Sequence, residues 1–158
     1  MIRWLAYIVA ICAPLPALAL SCVEPSVSRG FHAANAAPQS YVVVRGQLAF
    51  SEVNLPKDMT DPAPPKQTLI PARITGKSLS MAGFVHPFDR EITLEVLCFG
   101  PWCGGAVDGM DVLAFVEKAD GRYTLSIDPC GGFVFPNPSP DQISTIQQCF
   151  RGESCPLD

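Results

Sequence analysis

Seven cysteines are the residues of this 158-residue chain best suited to chemistry, and their surroundings decide which chemistry. Cys12 sits in an apolar N-terminal run, while Cys22, Cys98, Cys103, Cys130, Cys149 and Cys155 lie beyond it. An even six in a short exported chain reads as three disulfides, with many connectivities open on spacing alone. A nucleophilic thiolate needs a base beside it, and His32 and His86 are the only two histidines. Half-cystine is therefore the favoured role for all six, over catalysis. The Cys98–Cys103 gap is wider than a compact zinc knuckle, and Cys-x-x-Cys-His, the haem attachment motif, is absent. No metal or cofactor is expected.

The carboxylates Asp108, Asp111, Asp120 and Asp128 crowd one stretch, where turn formation and solubility explain them best. Trp102, between Pro101 and Cys103, is read as packing on a core or a disulfide before it is read as a partner site. The net charge is −4, and no cluster of Lys or Arg offers a track for phosphates, which argues against nucleic acid. Saccharide remains open, with Tyr41, Tyr123 and Phe133 as candidate stacking surfaces.

The compartment follows from the first residues. Met1-Ile2-Arg3 is a short basic start, and Trp4 to Leu20 carries no charge. The run closes on Ala17-Leu18-Ala19, the small-x-small pattern of a signal peptidase site, so residues 1–19 read as a secretory signal. Pro14 and Pro16 interrupt the run, which falls short of the ~20 apolar residues of a spanning helix. Leu18-Ala19-Leu20-Ser21-Cys22 also resembles a loose lipobox, with lipidation at Cys22 as the alternative, residues 1–21 removed, and a lipid anchor as the only membrane link. Cysteine parity argues against it, because lipidation leaves an odd thiol. Loss of the signal removes one basic residue, Arg3, and takes the net charge from −4 to −5. Residues 20–158 are enough for one domain.

The elements that must hold these residues are mostly strands. Phe31, Ala33, Ala34 and Ala37 suit a short helix before Pro38. Tyr41 to Phe50 is β-branched and aromatic, a strand with a bulge or bend at Gly46. Pro56, Pro62, Pro64 and Pro65 make Asn54 to Lys66 an exposed loop. Thr68 to Thr75 resumes strand character, limited by Pro71 to an edge or a break. Glu91 to Leu97 alternates, with Ile92, Leu94 and Val96 inward. Val112 to Ile127 is a hairpin turning at Ala119-Asp120-Gly121. Ser139-Pro140-Asp141 opens a helix with Ile143, Ile146 and Phe150 on one face, and Gly152 ends it. Five strands and no large helical layer predict a mainly β fold, a small five-stranded barrel with a C-terminal helix, stapled by disulfides.

Ser21-Cys22, the Tyr41–Phe50 strand, Cys98-Phe-Gly-Pro-Trp-Cys-Gly-Gly, and the hairpin leading to Cys130-Gly-Gly together resemble a netrin-like domain. That is the OB-type barrel of the tissue inhibitors of metalloproteinases. The resemblance implies that Cys22 pairs with Cys98. The family's second N-terminal cysteine, which reaches the position of Cys130, has no counterpart here. Cys103 is then implied as the partner of Cys130, and Cys149 as that of Cys155. It also implies a partner face made of Pro56, Pro62, Pro64, Pro65 and Phe99, with Trp102 beside them. The free N-terminal amine that chelates zinc in those inhibitors would be lost by either processing route. The expectation is therefore an exported, non-enzymatic interaction module of a bacterial envelope, whose partner is an unknown protein or saccharide. A structural envelope lipoprotein is the alternative, with a protease inhibitor or thiol-redox protein less favoured.

Overall fold

The computed structural model describes residues 20–57 and 63–157; the expected signal at 1–19 lies outside them, as does Pro62. Helix α1 (Val27–Ala36) is followed by β1 (Ser40–Phe50), β2 (Gln67–Ser80), β3 (Gly83–Phe99) and a two-residue β4 (Trp102–Cys103). Then come β5 (Asp111–Ala119), β6 (Arg122–Ile127), β7 (Val134–Pro136) and α2 (Pro140–Phe150).

The fold is mainly β with a C-terminal helix, but the sheet has seven strands and is not a regular five-stranded barrel. β1 pairs with β2, β2 with β3, and β5 with both β6 and β1, all antiparallel. β6 meets β3 in parallel, Thr93 opposite Thr124 through Val96 opposite Ile127. The departure from regularity begins in β6. It stays with β5 only from Ala119–Arg122 to Glu117–Thr124 before turning to β3, and β7 takes the vacated edge at Val112–Ala114.

Alternation sorts the side chains into two cores. Val44, Leu48, Ile74, Leu94, Val112 and Leu125 point inward to the larger one. The opposite face of β1, β5 and β7 supplies Val43, Leu113, Phe115 and Phe135 to a second core, closed by Val27 of α1 and Ile146 of α2. β5 is thus buried on both faces from Val112 to Val116, and its unbroken apolar run follows. A fully buried side chain of this size contributes about 1.5–3 kcal/mol by leaving water.

Local chemistry matches the elements. Ser139 caps α2 in a reciprocal box with Gln142, and Pro140 occupies the first turn. Ser26 caps α1. Asp120 and Gly121 both have positive φ, which closes the β5–β6 hairpin in two residues. Pro71 lies within β2 opposite Thr93, but the β1 pairing begins one residue later at Ala72, so its missing N–H faces no partner strand.

Three disulfides join Cys22 to Cys130, Cys98 to Cys103, and Cys149 to Cys155. The third is as expected; the implied Cys22–Cys98 and Cys103–Cys130 pairs are corrected. Cys98 and Cys103 are directly opposed in the β3–β4 hairpin, turned by Gly100 at positive φ, so each is the other's nearest thiol. Cys22, just before α1, then meets Cys130 in the turn after β6.

Candidate functional site

An opening of about 720 Å³ lies on the outer face of β2 and β3 beside the β5–β6 hairpin. Strand alternation builds it. With Ile70, Ala72 and Ile92 directed into the core, the intervening Leu69, Pro71, Arg73, Glu91 and Thr93 face outward. Ala49 and Arg122 complete the rim. Leu69 is 60% exposed although apolar. The Arg73 Nε donates to Asp89 Oδ1 at 2.7 Å, and Thr75 Oγ1 donates to the same oxygen at 3.1 Å. These bonds hold the Asp89 carboxyl below its ordinary pKa and raise that of Arg73.

A second opening, about 410 Å³, lies on the same side of the sheet. Leu97, Ser126, Asp128 and Phe133 line one wall, and Pro25 and Gly30 the other. The Cys22–Cys130 bridge anchors the Val23–Ser26 segment that forms its edge. Along β3, Glu95 falls between Thr93, which lines the first opening, and Leu97, which lines the second, and it accepts hydrogen bonds from the side chains of Gln67 and Ser126. Across the sheet, Tyr41 opposes Glu117, and its ring lies 5.0 Å from that of Phe133. Burial, then Glu117 and Glu95, push the Tyr41 phenol up, so it stays a neutral hydroxyl.

The residues singled out from sequence are scattered. The Cys98 N–H donates to the Lys66 carbonyl at 3.0 Å, which brings the end of the proline loop, after Pro64 and Pro65, to the hairpin carrying Phe99 and Trp102. Phe99 is 46% exposed and Trp102 half-buried. Pro56 sits at the other end of that loop, half-buried. His32 Nε2 lies 3.1 Å from the Cys155 carbonyl oxygen, and His86 is exposed on β3. Asp108 accepts from the Phe50 N–H and Asp128 from the Cys130 N–H, at 2.9 and 2.7 Å. Asp120 forms the hairpin turn, and the Asp111 carbonyl accepts from the Asn137 N–H at 2.8 Å. The carboxylates of Asp108 and Asp128 thus bind nearby backbone N–H groups, while Asp111 and Asp120 serve through their backbones. Tyr123 turns inward onto Phe88, ring centroids 5.4 Å apart, whereas Tyr41 and Phe133 form one surface.

All six cysteines are bonded, so each sulfur is committed to a bridge. A thioether at Cys22 would need the sulfur that bonds to Cys130, which makes lipidation and this bridge mutually exclusive. Among the described residues, no group of three or more His, Cys, Asp or Glu side chains is arranged to hold a metal, and no helix is long and apolar enough to cross a membrane. The outward residues of β2 and β3 were not marked as a site by any motif. Glu91, Thr93 and Glu95 read simply as a wet face, and exposed Leu69 beside Pro71 breaks that pattern. No family model, no curated protein and no solved structure matches this chain.

Proposed function

We propose that this protein is an exported, non-enzymatic binding module with an OB-type, netrin-like barrel, working in an oxidising envelope compartment. The observation that carries the reading is the strand circuit β1-β2-β3-β6-β5-β1 with its parallel β3–β6 seam. An OB-type barrel presents ligands to the β2–β3 face and the loops beside it, where the larger opening lies. The helix after the last strand agrees with the netrin-like variant. Three bridges fit an oxidising site of action. Binding is preferred to catalysis because every cysteine among the described residues is in a bridge, and Asp108, Asp111, Asp120 and Asp128 are spent at separate places in the fold.

The test is hydrogen-exchange mapping of the oxidised protein with fractionated envelope proteins and glycans. Protection concentrated on residues 69–73 and 91–93, abolished by Leu69→Lys, is the expected result. No protection with any fraction overturns the binding reading.

A second reading places a protein partner at the loop end of the sheet. Val53 and Val107 are 87% and 63% exposed, on loops tied by the Asp108 N–H to Glu52 Oε1 bond of 2.7 Å. Protection there, with none on β2 and β3, would favour it. Intact mass of the exported protein tests the lipoprotein alternative: three bridges and no acyl chain are expected, whereas an acyl mass on Cys22 restores the anchor.

A further inference from the structure

We propose that the outer sheet face binds an extended oligosaccharide carrying free amines, laid across both openings with an ammonium group over Glu95; this rests on the binding-module reading above. The two openings share one side of β3. Glu91 and Thr93 line the first, Leu97 lines the second, and Glu95 is the outward residue between them. From Thr93 to Leu97 the strand advances ~13 Å. A ligand that fills both must therefore be a chain, and it must pass a carboxylate.

That carboxylate is held ready. Gln67 on β2 and Ser126 on β6 grip it from both sides, so little rotamer freedom is lost when a cation arrives. Its surroundings favour a polyol with positive charge. Thr93 and Thr124 are paired across the β3–β6 seam and half-buried while facing outward, which sets two hydroxyl-bearing side chains beside it. Glu117 pairs with Thr124 on the next strand, and the neutral Tyr41 hydroxyl lies beside it. The two guanidinium groups at the first opening are Arg73 and Arg122, and Arg73 is engaged by Asp89. Arg29 lines the second opening together with Glu24 and Asp128. Over both openings and the strand between them Glu24, Glu91, Glu95, Glu117 and Asp128 outnumber Arg29, Arg73 and Arg122, and an anionic polymer is repelled.

A cationic peptide would share the charge but not the mode. An extended peptide docks on sheets by adding to a free strand edge. Here β3 is paired with β2 on one side and β6 on the other through Thr93–Val96, so no backbone ladder is open along the stretch that carries Glu95. Recognition must come from side chains, whose hydroxyl and carboxylate groups suit sugar hydroxyls and amines.

Calorimetric titration of the oxidised protein with a glucosamine oligomer, its fully N-acetylated counterpart, a uronic acid oligomer and oligolysine tests the assignment. The glucosamine oligomer is expected to bind about tenfold or more tighter than the N-acetylated one, with charge-assisted bonds as the source. Glu95→Gln should remove most of that preference, and Glu117→Gln part of it, while Glu153→Gln on the far C-terminal turn leaves it intact. Equal binding of the neutral oligomer, tighter binding of uronic acid or oligolysine, or no binding at all overturns the proposal. Should Glu95→Gln fail to fold, Glu117→Gln and the ligand series decide. If envelope fractions protect β2 and β3 while the glucosamine oligomer does not bind, the binding function stands and the amine assignment falls.

Discussion

Gly46 on β1 and Gly76 on β2 are cross-strand partners whose backbones meet too closely for any side chain. A Cβ on Gly46 would fall 2.4 Å from the Thr75 carbonyl oxygen, and one on Gly76 2.1 Å from that of Arg45. At this point β1 pairs with β2 and β5 at once, from Val44 to Gln47. The strand bends there from one half of the sheet to the other, and the glycine pair lets it do so.

Gly46→Ala should consequently cost about 1–3 kcal/mol, and Gly76→Ala as much or more, because backbone rather than a flexible side chain must yield. Denaturant melts of the oxidised variants measure this. Gly105→Ala, where an added Cβ meets nothing within 4 Å, should change the midpoint little.

The bridges differ in what they constrain. Cys22 and Cys130 are 108 residues apart, Cys98 and Cys103 only 5. Paired Cys→Ser replacement should cost about 4–5 kcal/mol for the first and about 2 kcal/mol for the second, by loop-closure entropy. Peptide mapping without reduction checks the connectivity, and a Cys22–Cys98 peptide would restore the pairing implied by the netrin-like resemblance.

The Arg73–Asp89 pair sets a pH signature. Asp89 has a depressed folded pKa, so whatever it contributes is present above the unfolded value and disappears as pH falls through the folded one. Carbon-detected NMR titration should find its midpoint below that of free aspartate, and Arg73→Gln should move it upward. Both side chains are about half exposed, so the change in global stability should be small.

Helix α2 closes the second core through Ile146, which is fully buried. Ile146→Ala should cost about 2–5 kcal/mol, and Ser139→Ala about 1 kcal/mol through loss of the cap. Thermal melts that rank them in the opposite order would mean that α2 docks weakly.

Much of this architecture was legible because local rules governed it. The Ser139-Pro140 cap, the Asp120-Gly121 turn and the β1 and β3 alternation each need only neighbouring residues. β2 and β3 run longer than their apolar patterns, to Ser80 and from Gly83, because long-range pairing carries polar stretches such as Lys77 and His86 into the ladder. The parallel β3–β6 seam and β7 depend on where β6 leaves β5, which no local spacing encodes. Disulfide choice failed for a different reason. The resemblance sent Cys98 to Cys22 although Cys103 stands only 5 residues away and directly opposite it, whereas Cys149–Cys155 came as the pair that the resemblance left over. Of the site, Tyr41 and Phe133 were visible as aromatics. Glu95 was not, since its meaning comes from Gln67 and Ser126 on neighbouring strands.

The span of the Cys22–Cys130 link also dictates an order of maturation. On the proposed export, with the N-terminus leading, the Cys22 thiol would emerge first and wait 108 residues for its mate while Cys98 and Cys103 pass by. Capture of Cys98 by Cys103 in their own hairpin would remove those competitors before Cys130 arrives. The small bridge thus acts as a proofreading step for the large one, and a chain that lost it would accumulate scrambled isomers even where the final fold tolerates its absence.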